Sequence, residues 1–261
     1  MAARGAALVT GGARRIGRAL VLACADAGYD VAIHVRSVDD DAEAAAADVR
    51  ARGQKASIHT CDLRREAETA PLVAEAEGEL GFVTLLVNCA SVFEDDAFST
   101  MNRASWDAHL ETNLRAPLVL AQAFARRLPP DRSGLIVNIL DQRVLAPTAE
   151  FFSYSLSKSA LWAATQMLAR DLAPRIRVNG IGPGPTLPSI HQDDGAFADE
   201  VSTTLLKRPV DPTEIGQALR YLIDASSVTG QMIAVDAGQH LACRSPLGPA
   251  PGEHRRSFPV P

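Results

Sequence analysis

Short apolar runs alternate with longer amphipathic stretches from residue 6 to about residue 236. Short apolar runs are typical of strands buried in a parallel sheet, and longer stretches with one polar face are typical of the helices between them. The pattern predicts strands at residues 6–9, 31–35, 56–60, 83–87, 135–140, 176–179 and 232–235. It predicts helices at residues 15–27, 40–52, 66–77, 106–128, 154–172 and 213–223. This order indicates an α/β fold, in which helices cover both faces of a parallel sheet.

Two regions depart from the alternation. Residues 182–208 are irregular and begin with several prolines and glycines. Residues 244–261 contain five prolines and several charges but no apolar periodicity, so we expect this tail to be disordered or to lie on a partner subunit. We therefore expect one domain over residues 1–243, which includes an irregular loop at residues 185–208.

The composition narrows the class of protein. A chain of 261 residues, 47% of them hydrophobic, has the size and apolar content that one α/β domain can fill. The formal net charge of -5 and the lack of a basic block argue against a nucleic-acid partner. Four scattered cysteines favour buried free thiols over a metal site, and hence a cytoplasmic location. No apolar run reaches the roughly 18 residues of a membrane span, and no leader pattern opens the chain.

The first predicted strand runs into the turn Thr10-Gly-Gly-Ala-Arg-Arg-Ile-Gly17, and a helix follows. The free backbone N–H groups and the dipole at a helix N-terminus favour an anion such as a phosphate. Taken alone, a glycine-rich turn is as typical of a purely structural connection. Arg14 and Arg15 add two cations to the turn and favour an anion ligand.

The second predicted strand ends in Ile33-His-Val-Arg-Ser37. A site specific for NAD has an acidic residue near this point, which binds the ribose hydroxyls. Arg36 and Ser37 instead suit a 2′-phosphate, so the sequence predicts NADPH as cofactor. The alternative is an ordinary surface arginine at the end of a strand.

Tyr154 and Lys158 are four residues apart and share one face of a predicted helix, and Asp141 ends the apolar run before them. These residues and the glycine-rich turn at residues 10–17 resemble motifs of the short-chain dehydrogenase/reductase family. The resemblance extends from about Leu8 to Leu241. The other similar segments are Cys61-Asp-Leu63, Asn88-Cys-Ala-Ser91, Asn113, Gly182-Pro-Gly184 and residues 228–238. The resemblance implies a Rossmann fold with a doubly wound, seven-stranded parallel sheet and a mobile substrate loop at residues 185–208. It also implies a homotetramer formed by helices 106–128 and 154–172, whose Trp106 and Trp162 fit packing or subunit contacts.

The same resemblance assigns roles to individual residues. Tyr154 and Lys158 form the catalytic pair, and Asn113 holds a water that connects Lys158 to solvent. The implied cofactor contacts are Gly11, Arg14, Arg15, Ile16, Gly17, Arg36, Ser37, Asp62, Leu63, Asn88, Ala90, Ser91, Tyr154, Lys158, Pro183 and Gly184.

Three residues depart from the usual family pattern: Arg15, Ser91 and Asp141 replace two glycines and the catalytic serine. All three resemble the pteridine reductases, with the dihydromonapterin and dihydrofolate reductases of the same fold. That subgroup reduces a C=N bond of a pterin or dihydropterin, and the substrate contacts it implies are Arg15, Ser91, Phe93, Asp141 and Tyr154. The alternative role for Phe93 is that of a core residue.

The chemistry of the residues agrees with this interpretation. Lys158 is expected to lower the pKa of Tyr154, since a nearby cation favours the ionised phenol. A carboxylate at position 141 would repel the developing oxyanion of a ketone, but it suits a nitrogen heterocycle. The subgroup resemblance implies that Asp141 acts with Tyr154 in proton delivery. Asp141 could instead cap the loop Gln142-Arg-Val. His191, Asp193 and Asp194 fall in the substrate loop and are expected to be solvated, with one of them a candidate substrate contact.

Two other functions stay open at this point. One is a carbonyl reductase that acts on a ketone or a 3-oxoacyl group and tolerates Asp141. The other is a non-catalytic NADP(H)-binding sensor, which has no chemical need for Tyr154, Lys158 and Asn113 together.

Overall fold

A computed structural model describes residues 4–188 and 193–242, except for the side chain of Asp194. Within them, seven strands form one parallel sheet in the order β3-β2-β1-β4-β5-β6-β7. The strands are β1 (Ala6–Thr10), β2 (Asp30–Val35), β3 (Ala56–Thr60), β4 (Val83–Asn88), β5 (Gly134–Ile139), β6 (Ile176–Pro183) and β7 (Met232–Val235). The strand order reverses between β1 and β4, and ligands of doubly wound sheets bind at the carboxyl ends of the strands beside such a switch point.

Helices cover both faces of this sheet. They are α1 (Arg15–Asp26), α2 (Asp40–Ala51), α3 (Glu66–Thr69), α4 (Leu72–Leu80), α5 (Arg103–Leu110), α6 (Ala116–Arg127), α7 (Phe152–Asp171), α8 (Asp194–Thr203), α9 (Pro212–Asp224) and α10 (Gln239–Ala242). A π-helical segment, Glu111–Arg115, joins α5 to α6, and a 3-10 turn, Gln142–Val144, follows β5. The predicted single-domain Rossmann fold is confirmed.

The central strands are mostly apolar because both of their faces are buried. Successive residues of a strand point to opposite faces, so Val9 lies in the core beneath α1 while Leu8 lies in the core beneath α4 and α6. Val87 and Leu86 divide in the same way on β4. The sheet is therefore packed between two apolar cores, one on each face.

Two of the predicted helices are interrupted by proline. The prediction of one helix over residues 66–77 is wrong: Pro71 separates α3 from α4, because proline has no N–H for the helical ladder and its ring obstructs the preceding turn. The predicted helix over residues 106–128 starts earlier, at Arg103, and widens to π geometry at Glu111–Arg115. Pro117 follows this segment and has no N–H to offer the carbonyl of Asn113.

The loop at residues 185–208 contains the helix α8, which the sequence pattern does not predict. Asp193 caps it by accepting a hydrogen bond from the Ala196 N–H at 2.7 Å. Among the helices of the described residues, none has both the length and the apolar character that a membrane span requires. His191 and the tail at residues 244–261 lie outside the described residues.

Candidate active site

A cavity of about 730 Å³ opens at the carboxyl ends of β1, β4 and β5. Most residues predicted to bind cofactor or substrate line it: Gly11, Arg14, Arg15, Ile16, Gly17, Arg36, Asp62, Leu63, Ala90, Ser91, Phe93, Asp141, Tyr154, Lys158, Pro183 and Gly184. Ser37, Asn88 and Asn113 are not among the lining residues. The reversal of strand order thus brings together segments that are more than 100 residues apart in the chain.

The glycine turn leaves a cradle that a side chain would fill. A Cβ on Gly17 would lie 1.9 Å from the carbonyl oxygen of Gly11, and a Cβ on Gly11 would press on the Ala90 backbone. Gly11 also has a φ of +65°, which glycine adopts without strain. The N-terminus of α1 therefore stands open towards the cavity, with the geometry that suits the phosphates of a dinucleotide.

His34 supports this turn, a role that the sequence analysis missed. Its Nδ1 accepts a hydrogen bond from the Gly11 N–H at 3.3 Å, and its Nε2 lies 3.2 Å from the Cys61 carbonyl oxygen. Burial lowers the pKa of His34 to about 4, so the ring is neutral and can accept the Gly11 bond. The signal available in the sequence was a polar residue inside the apolar strand before Arg36.

Arg14 and Arg15 line the cavity, where their side chains contact protein atoms, and their predicted cofactor contacts stay predictions. Arg14 pairs with Asp39 at 2.7 Å and with Asp41, at the start of α2. Arg15 has a φ of +52°, and its guanidinium donates to the carbonyl of Leu187 at 2.9 Å and to that of Pro188 at 2.8 Å. A guanidinium with several donors takes the nearest acceptors, and these lie in the neighbouring loops.

Two charged groups mark the end of the cavity predicted to hold the adenosine part of the cofactor. Arg36 is exposed on the cavity wall at the end of β2. Asp62 pairs with Arg64 at 2.6 Å, and the hydrogen bond from Arg64 holds the pKa of Asp62 at about 2. Ser37 follows Arg36 but is not among the lining residues, and its predicted cofactor contact stays a prediction.

The Asn113 side chain holds the segment that contains Ser91 and Phe93 through hydrogen bonds. Its Oδ1 accepts hydrogen bonds from the Val92 N–H at 2.8 Å and from the Ser91 hydroxyl at 3.2 Å. Its Nδ2 donates to the Ser157 hydroxyl at 3.0 Å on α7. The side chain therefore joins the loop after β4 to the helix of the catalytic pair. The water that the family resemblance places at Asn113 stays a prediction.

Asn88 ends β4 and is not among the residues that line the cavity, and its predicted cofactor contact stays a prediction. Its Nδ2 donates to Asn138 Oδ1 at 2.8 Å, and Asn138 donates to the Thr165 hydroxyl at 2.9 Å. These buried amides tie β4, β5 and α7 together. Asn88 thus acts on the site through the placement of strands, because its side chain is enclosed between them.

Tyr154 and Asp141 form a direct hydrogen bond, in which the phenol donates to Asp141 Oδ2 at 2.8 Å. The other carboxylate oxygen accepts the Arg143 N–H at 2.8 Å, as expected of a residue that caps the following turn. The capping role considered for Asp141 is therefore present, and its role in proton delivery stays a prediction. The cap fixes the carboxylate, which in turn orients the phenol.

The pKa of Tyr154 is raised well above its usual value, contrary to the expectation that Lys158 lowers it. Burial is the main cause, followed by the charge of Asp141 and the hydrogen bond to it. Lys158 donates to the Ile139 carbonyl at 2.8 Å, and burial lowers its pKa to about 8. In the protein alone, Tyr154 therefore carries its proton and holds it towards Asp141.

An aromatic group lies beside this pair. The Phe93 ring is stacked on Phe151, with centroids 4.4 Å apart and planes at 13°, and it meets Tyr154 edge to face at 4.7 Å. The Arg143 guanidinium carbon lies 5.9 Å from the Phe93 centroid and 5.2 Å from that of Phe151. Sequence reasoning found Phe93 but missed Phe151, although Phe151 stands one helical turn before Tyr154.

The substrate loop contributes a second wall. Phe197 and Glu200 of α8 line the cavity, and the Glu200 carboxylate accepts a hydrogen bond from Gln239 of α10 at 3.2 Å. Asp193 caps α8 and is exposed. Among the described residues, no group of His, Cys, Asp and Glu side chains could hold a metal ion.

A family model described as short chain dehydrogenase matches residues 5–198. The chain belongs to the short-chain dehydrogenase family. It is therefore an oxidoreductase of that family, as its motifs predict. Tyr154, Lys158 and Asp141 line one cavity, and all three lie within the residues that the family model matches.

The chain is also similar to solved structures and to curated proteins. The FolM alternative dihydrofolate reductase 1 from Brucella canis, crystallised with NADP, is 47% identical with a TM-score of 0.89, over 94% of this chain and 98% of that one. A blue fluorescent protein from a metagenomic library, in complex with NADPH, is 32% identical with a TM-score of 0.84, over 90% and 98%. The 3-oxoacyl-[acyl-carrier-protein] reductase FabG of Aggregatibacter actinomycetemcomitans is 34% identical over 237 residues, 88% of this chain and 97% of the relative.

Proposed function

We propose that this protein is an NADPH-dependent reductase that transfers hydride to a C=N bond of a pterin or dihydropterin, with dihydrofolate as a further candidate substrate. The observation that carries the proposal is the hydrogen bond from the Tyr154 hydroxyl to Asp141 Oδ2 at 2.8 Å. It places a carboxylate where a carbonyl reductase requires a neutral donor. The FolM neighbour supports the same class of substrate.

The described residues fit NADPH. The cradle formed by Gly11 and Gly17 would hold the pyrophosphate, and Arg36 would contact the 2′-phosphate. Lys158, whose Nζ lies 2.8 Å from the Ile139 carbonyl, would hydrogen-bond the nicotinamide ribose. When bound, the nicotinamide supplies the hydride, and the protein orients the substrate and provides the proton.

The proton chemistry rests on Tyr154 and Asp141. Reduction of a C=N bond requires a proton at nitrogen, and the protonated phenol of Tyr154 lies at the cavity wall to supply it. The Asp141 carboxylate can accept the N–H groups of a nitrogen heterocycle while it keeps the phenol oriented. Ser91 and Arg15, also on the cavity wall, are proposed to hydrogen-bond the cofactor phosphates and the polar edge of the pterin.

A 3-oxoacyl or ketone reductase is the second candidate, and the FabG relative favours it. The position of Asp141 argues against it, because a carboxylate there opposes the negative charge that develops on a carbonyl oxygen. A sensor that only binds NADP(H) is the third candidate. Burial of Tyr154 and Lys158 costs stability, and a sensor has no catalytic use for the two groups that would offset this cost.

The test is NADPH oxidation with dihydrobiopterin, dihydrofolate, a 3-oxoacyl thioester and simple ketones, measured in parallel. We expect turnover of the dihydropterin, and a loss of about 10²- to 10⁴-fold in Asp141→Ser and Tyr154→Phe. NADPH affinity should stay within about threefold in Asp141→Ser, since Asp141 is not among the implied cofactor contacts. Reduction of the thioester or ketones without any pterin turnover would contradict the proposal.

A further inference from the structure

The stack of Phe151 on Phe93 has a consequence for recognition of the substrate ring. Phe93 lines the cavity, whereas Phe151 is not among the lining residues. One face of Phe93 is covered by Phe151 at 4.4 Å, with the planes nearly parallel. Of the two stacked rings, Phe93 is therefore the one that borders the cavity.

Arg143 does not lie over the outer face of Phe93. Its guanidinium carbon is 5.2 Å from one centroid and 5.9 Å from the other, while the two centroids are 4.4 Å apart. A group above the outer face of either ring would be much nearer to that ring than to the other. Arg143 therefore lies along the side of the stack, and it is itself one of the residues that line the cavity. Its contact with Asp141 at 3.4 Å connects the stack to the proton-delivery pair.

The backbone around Phe151 fixes its ring relative to Tyr154. Phe151 has a φ of +51° and a ψ of +53°, a left-handed conformation that bulky residues seldom adopt. Its carbonyl accepts the Ser155 N–H at 2.8 Å and so begins the first turn of α7. The buried Asp96 accepts the Ser153 N–H at 2.8 Å and ties the same turn to the loop after Phe93.

We propose that Phe151 is a positioning residue: it backs Phe93 so that the opposite face of Phe93 is presented flat to the planar ring of the substrate, in register with Tyr154. This inference rests on the proposed function, which supplies the planar ring. Without Phe151, the loop that carries Phe93 retains its attachment to Asn113 through Val92, but the Phe93 ring is free to tilt. Stacking on a tilted ring is weaker because offset parallel contact is lost.

The test measures ring binding without relying on turnover. A non-reacting 2,4-diaminopteridine is titrated into the complex of the full-length protein with NADPH, for the wild type, Phe151→Leu and Phe151→Tyr. We expect Phe151→Leu to weaken binding about three- to tenfold, and Phe151→Tyr, which keeps a flat ring, to stay within about twofold. The KM for dihydrobiopterin should rise with the Kd, while kcat and the Kd for NADPH hold. Phe98→Ala is the matched control, because it removes an exposed aromatic pair with Phe152 nearby.

A double-mutant cycle separates positioning from general support of the fold. If Phe151 acts through Phe93, the double variant Phe93→Leu, Phe151→Leu binds the pteridine no more weakly than Phe93→Leu alone. Phe151→Met replaces Phe151→Leu in every arm if the leucine variant does not fold by circular dichroism.

Unchanged or tighter pteridine binding in folded Phe151→Leu overturns the inference alone, and tighter binding would mean that Phe151 occupies the substrate's place. Additive losses in the cycle overturn it as well. Failure of the wild type both to bind the pteridine and to reduce dihydrobiopterin overturns the proposed function, and the inference falls with it.

Discussion

At the scale of single residues, the carboxylate of Asp141 has a structural and a chemical task at once. One oxygen accepts the Arg143 N–H and the other accepts the Tyr154 hydroxyl, each at 2.8 Å. Both oxygens are thus held by groups of fixed position. A serine at this place has a single oxygen and could not make both bonds in the same way. The substitution that marks the subgroup therefore also changes how the turn after β5 is held.

Arg36 is predicted to decide the choice between NADPH and NADH. Arg36→Asp replaces a cation on the cavity wall by an anion that repels the 2′-phosphate. We expect the Kd for NADPH to rise about 10- to 100-fold, and the Kd for NADH to change less than about threefold. Titration of both cofactors by fluorescence measures the two constants. An equal loss of affinity for both cofactors would show that Arg36 does not bind the 2′-phosphate.

Lys158 is predicted to make NADPH binding depend on pH. Burial lowers its pKa to about 8, so the ammonium is present below that pH and is lost as the pH rises through it. Tyr154, whose pKa is raised well above its usual value, and Cys89, at about 12, do not titrate in this window. We expect the Kd for NADPH to rise about three- to tenfold between pH 7 and pH 9, because a donor and a charge are lost.

The control for this pH dependence is Lys158→Arg, whose guanidinium stays charged throughout the range. Its Kd for NADPH should be nearly level between pH 7 and pH 9. A level profile for the wild type would contradict the role given to Lys158.

At the scale of elements, the turn between β1 and α1 depends on contacts from distant segments. His34 of β2 accepts the Gly11 N–H, and the Thr10 hydroxyl accepts the N–H groups of Cys89 at 2.9 Å and Ala90 at 3.1 Å. The phosphate cradle is therefore held from both neighbouring strands. This explains why a glycine-rich turn alone is weak evidence for a nucleotide site, since the turn acquires its shape from its neighbours.

Gly17→Ala is predicted to abolish cofactor binding. The added methyl would lie 1.9 Å from the Gly11 carbonyl oxygen, so the turn must open. We expect NADPH affinity to fall more than about 100-fold and the free energy of unfolding to fall by about 1–3 kcal/mol. Calorimetric titration and denaturant unfolding measure the two effects. Gly78→Ala on α4, with no atom within 4 Å of the new methyl, should change neither binding nor stability adversely.

At the scale of the whole molecule, α7 serves the site and carries an exposed apolar surface. Tyr154 and Lys158 face the cavity, while Met167 is 69% exposed and Leu156 is 42% exposed on the same helix. Exposed apolar residues on one helix are typical of a subunit contact. The homotetramer implied by the family resemblance stays a prediction, and this surface is where it is to be tested.

Met167→Glu is predicted to weaken assembly. A charge on the proposed contact must be desolvated in every subunit, which disfavours association. We expect sedimentation velocity to show tetramers for the wild type and smaller species for the variant at the same concentration. Phe82→Glu is the control, because Phe82 is likewise exposed, at 49%, but it precedes β4 and does not lie on α7. Dissociation by both variants, or by neither, would contradict an interface on α7.

The sequence by itself determined the fold and the family. The spacing of apolar residues along the chain distinguishes strands from helices. All seven strands could therefore be predicted from this local pattern. The predicted helix was wrong where a single residue interrupts an otherwise helical pattern, as Pro71 does between α3 and α4. The short, capped α8 lacked a clear apolar stripe and was not predictable in this way.

Only the tertiary structure decided the partners of the site residues. The sequence placed Asp141, Tyr154 and Lys158 at the site, but the high pKa of Tyr154 follows from its burial beside Asp141, which no spacing specifies. The same holds for Arg15 on the substrate loop and for the stack of Phe151 on Phe93. Periodicity is a property of neighbours in the chain, whereas burial and hydrogen bonding depend on segments that meet only when the sheet has formed.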